Sequence, residues 1–255
     1  MIYAIHASGI AQGGPRMFNA VRKFPQGTDL RTELESAMRR VGALGVRYPK
    51  GYLEALVRKY SKVGIEYPRI LMRLGDPNIS KHEHYKEVMR CKGKFLDFGC
   101  GTGDDLRQLL RDGYPKKDLL GFDIDWKSID LGFDLYRDRS TMKGVFSVGE
   151  EPRVKAEAFD IIYSGSVLHT MRKMSMVTRY LDKAHDALKV GGIIFGSTLG
   201  SFRPMNQEKR TTFLTKKSFH SLLRRKGFKD IDIIRKDEMQ QSVGKRRYWF
   251  FAKKE

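Results

Sequence analysis

Three glycines in five residues, Gly99-Cys100-Gly101-Thr102-Gly103, and a carboxylate 20 residues after the last of them, Asp123, mark where this chain of 255 residues could hold a ligand. Glycine accepts positive φ and lets a ligand approach the backbone with no Cβ in the way. An apolar run, Phe95, Leu96 and Phe98, precedes the turn, and Leu106, Leu109 and Leu110 follow it at helical spacing. The turn thus joins a strand to a helix, whose first orphan N–H groups point out of the sheet's carboxyl end. That geometry suits a nucleotide-like ligand. Asp123 ends the next strand at the distance expected of a carboxylate that accepts two ribose hydroxyls. The structural alternative for Asp123 is a helix N-cap before Trp126, for which Asp125 is better placed. The dinucleotide fingerprint G-x-G-x-x-G is not met, because the third glycine comes one position early and Asp104 stands where it would be.

Other reactive side chains are few. His82 and His84 form an H-E-H triplet, but their spacing puts the imidazoles on different sides of a helix and no third ligand is recognisable, so no metal is expected. The two cysteines, Cys91 and Cys100, flank the first strand. An extended strand holds them beyond the ~4.4–6.8 Å Cα separation of a disulfide, so both are expected to be reduced, in a cytoplasmic protein.

The elements that must position these residues begin with helices. Thr28 is expected to cap a helix through Gly42 with Leu34, Met38 and Val41 on one face; Leu53, Leu56, Val57 and Tyr60 make a second face. Residues 1–15 are expected to be poorly fixed unless they fold over the site. From Lys94 the pattern alternates strand and helix as in parallel βαβ units. Strands are expected at Leu119–Phe122, Val145–Val148 and Phe159–Tyr163, and a helix carries Trp126, Ile129, Phe133 and Tyr136. A longer helix from Lys173 to Leu188 is expected to end at Gly191-Gly192, before a strand at Ile193–Thr198. A last helix, Lys216–Lys226, precedes apolar runs at Ile231–Ile234 and Tyr248–Ala252, making about seven strands in one open α/β sheet. Residues 1–93 read as a basic, mainly helical extension and 94–255 as the main domain.

The net charge is +19, and its distribution is uneven. Residues 1–94 carry 18 Lys and Arg against 8 acids, and residues 202–255 carry 16 against 6, while the stretch between is nearly neutral. Basic flanks of this kind are expected of a protein that meets a polyanion; the bland alternative is a solubility surface. No run approaches the roughly 18 apolar residues of a membrane span. The N-terminus lacks a basic region before its apolar residues and reads as mature sequence.

The motifs FLDFGCGTGDD, GFDID, FDIIYSGSVLHTM and LKVGGIIFGST, in this order over residues 94–198, resemble the class I S-adenosylmethionine-dependent methyltransferases. The resemblance implies a Rossmann-like, mostly parallel seven-stranded sheet and S-adenosyl-L-methionine as cofactor. Carried over by position, Asp97, Gly99, Gly101, Gly103, Asp123 and Ile124 would contact the cofactor, with Ser164 in the same set and Glu150 as partner of the adenine amino group. His169 lies in the loop that would face the reacting methyl, as a general base or as a histidine that shapes the loop through the backbone.

Two narrower resemblances imply different acceptors. GDDLRQLLRDGYPKKDLLGFDID, continuing through SIDLGFDLYRDRSTMKGVF, is similar to fungal secondary-metabolite methyltransferases, which act on carboxyl or hydroxyl groups of small molecules. GTGDDLRQL, FDIDWKSID, VLHTM and GGIIFGSTLGSF look like the RNA cap guanine methyltransferases, although the aromatic those enzymes place after the histidine is replaced by Thr170 and Met171. The charge tips the expectation to RNA, with the small-molecule O-methyltransferase as the alternative. Tyr67, Arg69, Arg73, Phe202 and Arg203 are the candidate substrate-binding residues, since aromatics beside arginines stack a base and neutralise phosphate.

Overall fold

The computed structural model describes residues 29–65, 70–149, 152, 154–201, 214–236 and 245–255. The expectations for residues 1–15, Thr28, Tyr67, Arg69, Glu150, Phe202 and Arg203 lie outside the described residues.

Two helices open the described chain, α1 (Leu30–Ala43) and α2 (Tyr52–Val63). The cap of α1 is Asp29, whose carboxylate accepts the Thr32 N–H at 2.8 Å. That carboxylate satisfies one of the orphan donors of the first turn, and the expected helix begins one residue later than the sequence pattern placed it. Leu34, Ala37 and Val41 of α1 and Leu56 and Tyr60 of α2 are buried against Leu131, Leu135 and Tyr136.

A seven-stranded sheet follows: β1 (Phe95–Phe98), β2 (Leu119–Asp123), β3 (Phe146–Val148), β4 (Phe159–Gly165), β5 (Leu188–Ser201), β6 (Phe228–Lys236) and β7 (Lys245–Lys254). Their order is β3-β2-β1-β4-β5-β7-β6. The first five run parallel, and β7 is antiparallel to both β5 and β6. The helices between them are α3 (Tyr85–Cys91), α4 (Asp104–Arg111), α5 (Trp126–Tyr136), α6 (Met174–Ala187) and α7 (Lys216–Arg225). β1 is buried along its whole length, as a central strand covered on both faces must be.

The end of α6 corrects the sequence pattern. The helix stops at Ala187 and Leu188 already pairs with Phe159, so β5 runs through Gly191 and Gly192 instead of starting after them. The register then shifts to Ile161↔Ile193, and Gly191 takes φ +74° within that irregular stretch. Leu188 is wholly buried, so burial holds it on the sheet and the two glycines serve the bulge rather than a helix cap.

The N-terminal helices are fastened to α5, the helix that directly follows Asp123. Tyr48 and Tyr52 donate to the carbonyls of Leu135 and Asp134 at 2.5 and 2.8 Å, and Lys59 pairs with Asp130 and Asp134 at 2.5 Å. Arg40 donates to the carbonyls of Leu71 and Leu74, which leads the chain on toward the glycine turn.

Candidate active site

The glycine turn is built from strain that only glycine bears cheaply. Gly99, Gly101 and Gly103 stand at φ +100°, +54° and +76°. A Cβ on Gly99 would lie 2.4 Å from Val167 Cγ2, and one on Gly101 2.7 Å from Ile70 Cδ1. The turn is held from behind by Arg107, a residue the sequence reading passed over. Its guanidinium donates to the Thr102 carbonyl at 2.5 Å, makes a bidentate pair with Asp138 at 2.7 and 2.8 Å, and stacks on Tyr136 at 4.2 Å. The signal available was an arginine between Leu106 and Leu109 on a helix face that must be buried; its side chain is only 4% exposed.

Two aspartates at the start of α4 clip the N-terminal segment across the turn. Asp104 accepts the Gly75 N–H and the Tyr136 hydroxyl, both at 2.6 Å, as well as the Thr102 hydroxyl. Asp105 accepts the N–H groups of Asn78 and Ile79 at 2.9 Å each. Both carboxylates stand in the first turn of α4, where the helix dipole favours negative charge.

Asp123 lies where its spacing placed it. One oxygen accepts the Gly101 N–H at 2.7 Å and the other the Asp125 N–H at 2.9 Å, so the acid at the end of β2 locks the turn that follows β1. The N-cap of α5 is Asp125, whose side chain accepts from Lys127 N. Ile124 is half-buried against the core beneath the sheet.

Asp97, Asp104, Asp105 and Asp123 gather at the ends of β1 and β2. Burial pushes Asp123 up to about 6 against the pull of its backbone hydrogen bonds. Burial, reinforced by the charge of Asp104, does the same for Asp105, also to about 6. Asp97 is raised too, by burial and by the charges of Asp105 and Asp123. Asp97 Oδ2 and Ser164 Oγ are buried with no hydrogen-bond partner among the described residues.

His169 follows β4 in a single 3-10 turn, and its Nδ1 accepts the Leu199 N–H at 3.3 Å. Arg73 lies in the segment that crosses the sheet edge and is half-buried. His82 is buried between Phe195 and Trp249, and His84 stacks on Phe251 at 4.0 Å. The H-E-H triplet thus packs the N-terminal segment onto β5 and β7, and no cluster fit for a metal occurs among the described residues. Cys91 and Cys100 are free, and no helix among the described residues is long and apolar enough to cross a membrane.

A sheet of this order with a single antiparallel strand, β7, between β5 and β6, and with a glycine turn after β1 and an acid ending β2, is the class I methyltransferase fold. A family model described as a methyltransferase domain matches residues 66–233, and the chain belongs to that family. It is similar to the O-methyltransferase atr3 of Stereocaulon alpinum, 32% identical over 123 residues that cover 43% of this chain and 35% of the relative. It is also similar to the asnovolin E/chermesin D methyltransferase nvfJ of Aspergillus novofumigatus, 45% identical over 74 residues covering 28% of this chain and 27% of the relative. The matched stretch spans about a third of these relatives' length. Among solved structures, phosphoethanolamine N-methyltransferase 2 of Haemonchus contortus in complex with S-adenosyl-L-methionine superposes with a TM-score of 0.51 at 15% identity, over 64% of this chain and 48% of that one. At that identity the likeness is one of fold.

Proposed function

We propose that the chain is an S-adenosylmethionine-dependent O-methyltransferase whose acceptor is a small molecule, with a carboxylate favoured over a hydroxyl. The observation that carries the cofactor is the carboxylate cluster. Three acids that burial and neighbouring carboxylates hold uncomfortably at the ends of β1 and β2, Asp97, Asp105 and Asp123, suit a ligand bearing positive charge, and they repel the pyrophosphate of a dinucleotide. S-adenosylmethionine carries both an ammonium and a sulfonium. The residues present fit it: Asp123 has lone pairs left for ribose hydroxyls, Gly99, Gly101 and Gly103 clear the backbone, and Asp97 and Ser164 each offer a buried polar atom. When bound, it supplies an electrophilic methyl on a sulfonium that becomes a neutral thioether as the acceptor oxygen takes the methyl.

His169 bears on the acceptor. With Nδ1 accepting a backbone N–H, the neutral imidazole carries its proton on Nε2 and has no ring lone pair left to take a substrate proton. That supports a histidine that shapes the loop and donates, and it favours an acceptor already ionised, which needs alignment more than a base.

RNA, which the charge count favoured, is the weaker reading. The curated relatives lie on the small-molecule side. Several flank cations are also occupied within the fold: Arg40 and Lys254 donate to carbonyls, Lys59 pairs with two acids and Lys236 with Glu83.

The test is transfer of a labelled methyl group to a panel of aromatic acids and phenols, with capped RNA alongside. Transfer to the acids is expected, and Gly101→Val, which meets Ile70 and adopts an unfavourable φ, should fold by circular dichroism yet transfer nothing. Transfer to RNA alone, or full activity in Gly101→Val, would sink the reading.

Asp123 also sets a pH dependence. Its folded value of about 6 means that below that pH the carboxyl is protonated and must release the proton to accept two hydroxyls. Calorimetric affinity for the cofactor should level off by about pH 7 and weaken toward about tenfold per unit below pH 6. An affinity unchanged down to pH 5 would separate Asp123 from the ligand.

A further inference from the structure

The apolar stripe of α5 runs out of the core at its N-terminal end. Ile129 is buried and Phe133 half-buried, but Trp126 keeps 47% of its surface exposed, and Val148 at the end of β3 keeps 50%. Together with Phe146 they line a groove of about 240 Å³ between α5 and β3. An exposed tryptophan and an exposed valine on the walls of one groove make an apolar patch of the kind that marks a contact surface, which scattered single residues do not.

The strand on that groove is also an edge of the sheet. β3 pairs with β2, and no strand lies beyond it among the described residues. The Val145 carbonyl accepts the Gly121 N–H, and the Gly149 N–H donates to the Asp123 carbonyl, so the alternate residues of this stretch turn their backbone toward β2. The N–H and C=O groups of Phe146 and Val148 therefore point outward, and their side chains share the face that meets α5. Such an edge is a template for another chain. Antiparallel pairing of a second copy about a two-fold axis at Ser147 puts Phe146 of one copy opposite Val148 of the other, and each such pair exchanges both backbone hydrogen bonds. The same axis joins the two grooves into one apolar face.

Charge decides between a second copy and other partners. A chain with a net charge of +19 repels its own copies wherever its surface is basic, so a contact between copies needs a place without spare charge. The charged side chains that line the groove are Asp130 and Arg139, and they pair with each other. Asp130 also holds Lys59 at 2.5 Å, while Arg139 stands 3.6 Å from Asp134 and lies over the Phe133 ring at 4.6 Å. A rim balanced in this way offers a polyanion nothing, and an identical rim meets it without an unpaired charge.

We propose that the groove between α5 and β3 is the interface of a two-fold dimer, in which the β3 strands of two copies pair antiparallel and cover Trp126 and Val148. This pairing is independent of the transferase reading above.

Sedimentation equilibrium over a range of protein concentrations should show a reversible monomer–dimer equilibrium. Added salt should tighten it, because salt screens the repulsion between two positive chains and leaves the apolar contact in place. The emission of Trp126 should move to shorter wavelength as the dimer forms, while Trp249, the other tryptophan, is buried already. Trp126→Phe keeps a ring and should still dimerise without that shift. Val148→Lys sets like charges near the axis and Trp126→Ser removes the largest apolar group, so each should raise the dimer dissociation constant roughly tenfold or more with an unchanged circular dichroism spectrum. Both side chains are half exposed, so either variant is expected to fold as a monomer. A wild type that stays monomeric at every concentration and salt overturns the assignment, and so does a dimer that Val148→Lys and Trp126→Ser leave intact. Association that weakens as salt rises overturns it too, since a charged contact elsewhere behaves in that way. A monomer whose Trp126 emission shifts on addition of naphthalene would make the groove a small-molecule site and likewise remove the dimer.

Discussion

Asp123→Ala is expected to weaken S-adenosylmethionine binding by about one to two decades, the loss of charge-assisted hydrogen bonds worth roughly 1.5–3 kcal/mol. The structure gives the larger end of that range a cause. The carboxylate accepts the Gly101 and Asp125 N–H groups at 2.7 and 2.9 Å, so removing it also releases the glycine turn and leaves two backbone donors seeking water. Asp123→Asn keeps the shape and an acceptor oxygen, and it should fall between wild type and Ala. Calorimetric titration measures both variants. Wild-type affinity in Asp123→Ala would take the acid out of the site, and no heat from the wild type with either S-adenosylmethionine or S-adenosylhomocysteine would remove the cofactor assignment.

Arg107→Met should cost about 3–5 kcal/mol of stability, because breaking a buried pair from one side leaves the other charge uncompensated. Asp138 loses a bidentate partner, and the Thr102 carbonyl loses its 2.5 Å donor. In a chain of this length each kcal/mol moves the melting temperature by roughly 2–4 °C, so a fall of about 10 °C is expected. The loss should also reach the ligand, since Thr102 lies inside the glycine turn. A Cβ on Gly132 would stand 2.1 Å from the same carbonyl, so α5 and Arg107 hold one atom between them. Melting curves with and without cofactor separate the two effects. A variant as stable as wild type would mean that the pair contributes nothing net, and a stable variant with weakened binding would make Arg107 a positioning residue only.

The relatives' names and the basic flanks point to different acceptors. A sum over residues says how much positive charge a chain has, but not which cations the fold already uses. Lys59, Arg40, Lys236 and Lys254 all belong to the flanks in sequence, and each is tied to an acid or a carbonyl once the chain is folded.

Local chemistry was legible from the residues alone. Three glycines that need positive φ, a strand-length apolar run before them, a helical stripe after them and an acid 20 residues on are short-range properties, and they located the turn, Asp123 and most of the sheet. The faces of α1 and α2 were legible for the same reason, since helical period depends on neighbours three and four residues away. What needed the tertiary structure was anything set by partners distant in sequence. The end of α6 depended on Leu188 finding Phe159, a contact that overrides the glycine pair as a stop signal. Arg107 becomes a support for the turn only because Asp138 comes to meet it from 31 residues away. The carboxylate cluster and the contact of His169 with Leu199 likewise arise where separate strands end together. Burial and the approach of like charges act there through distances in space, which no spacing along the chain encodes.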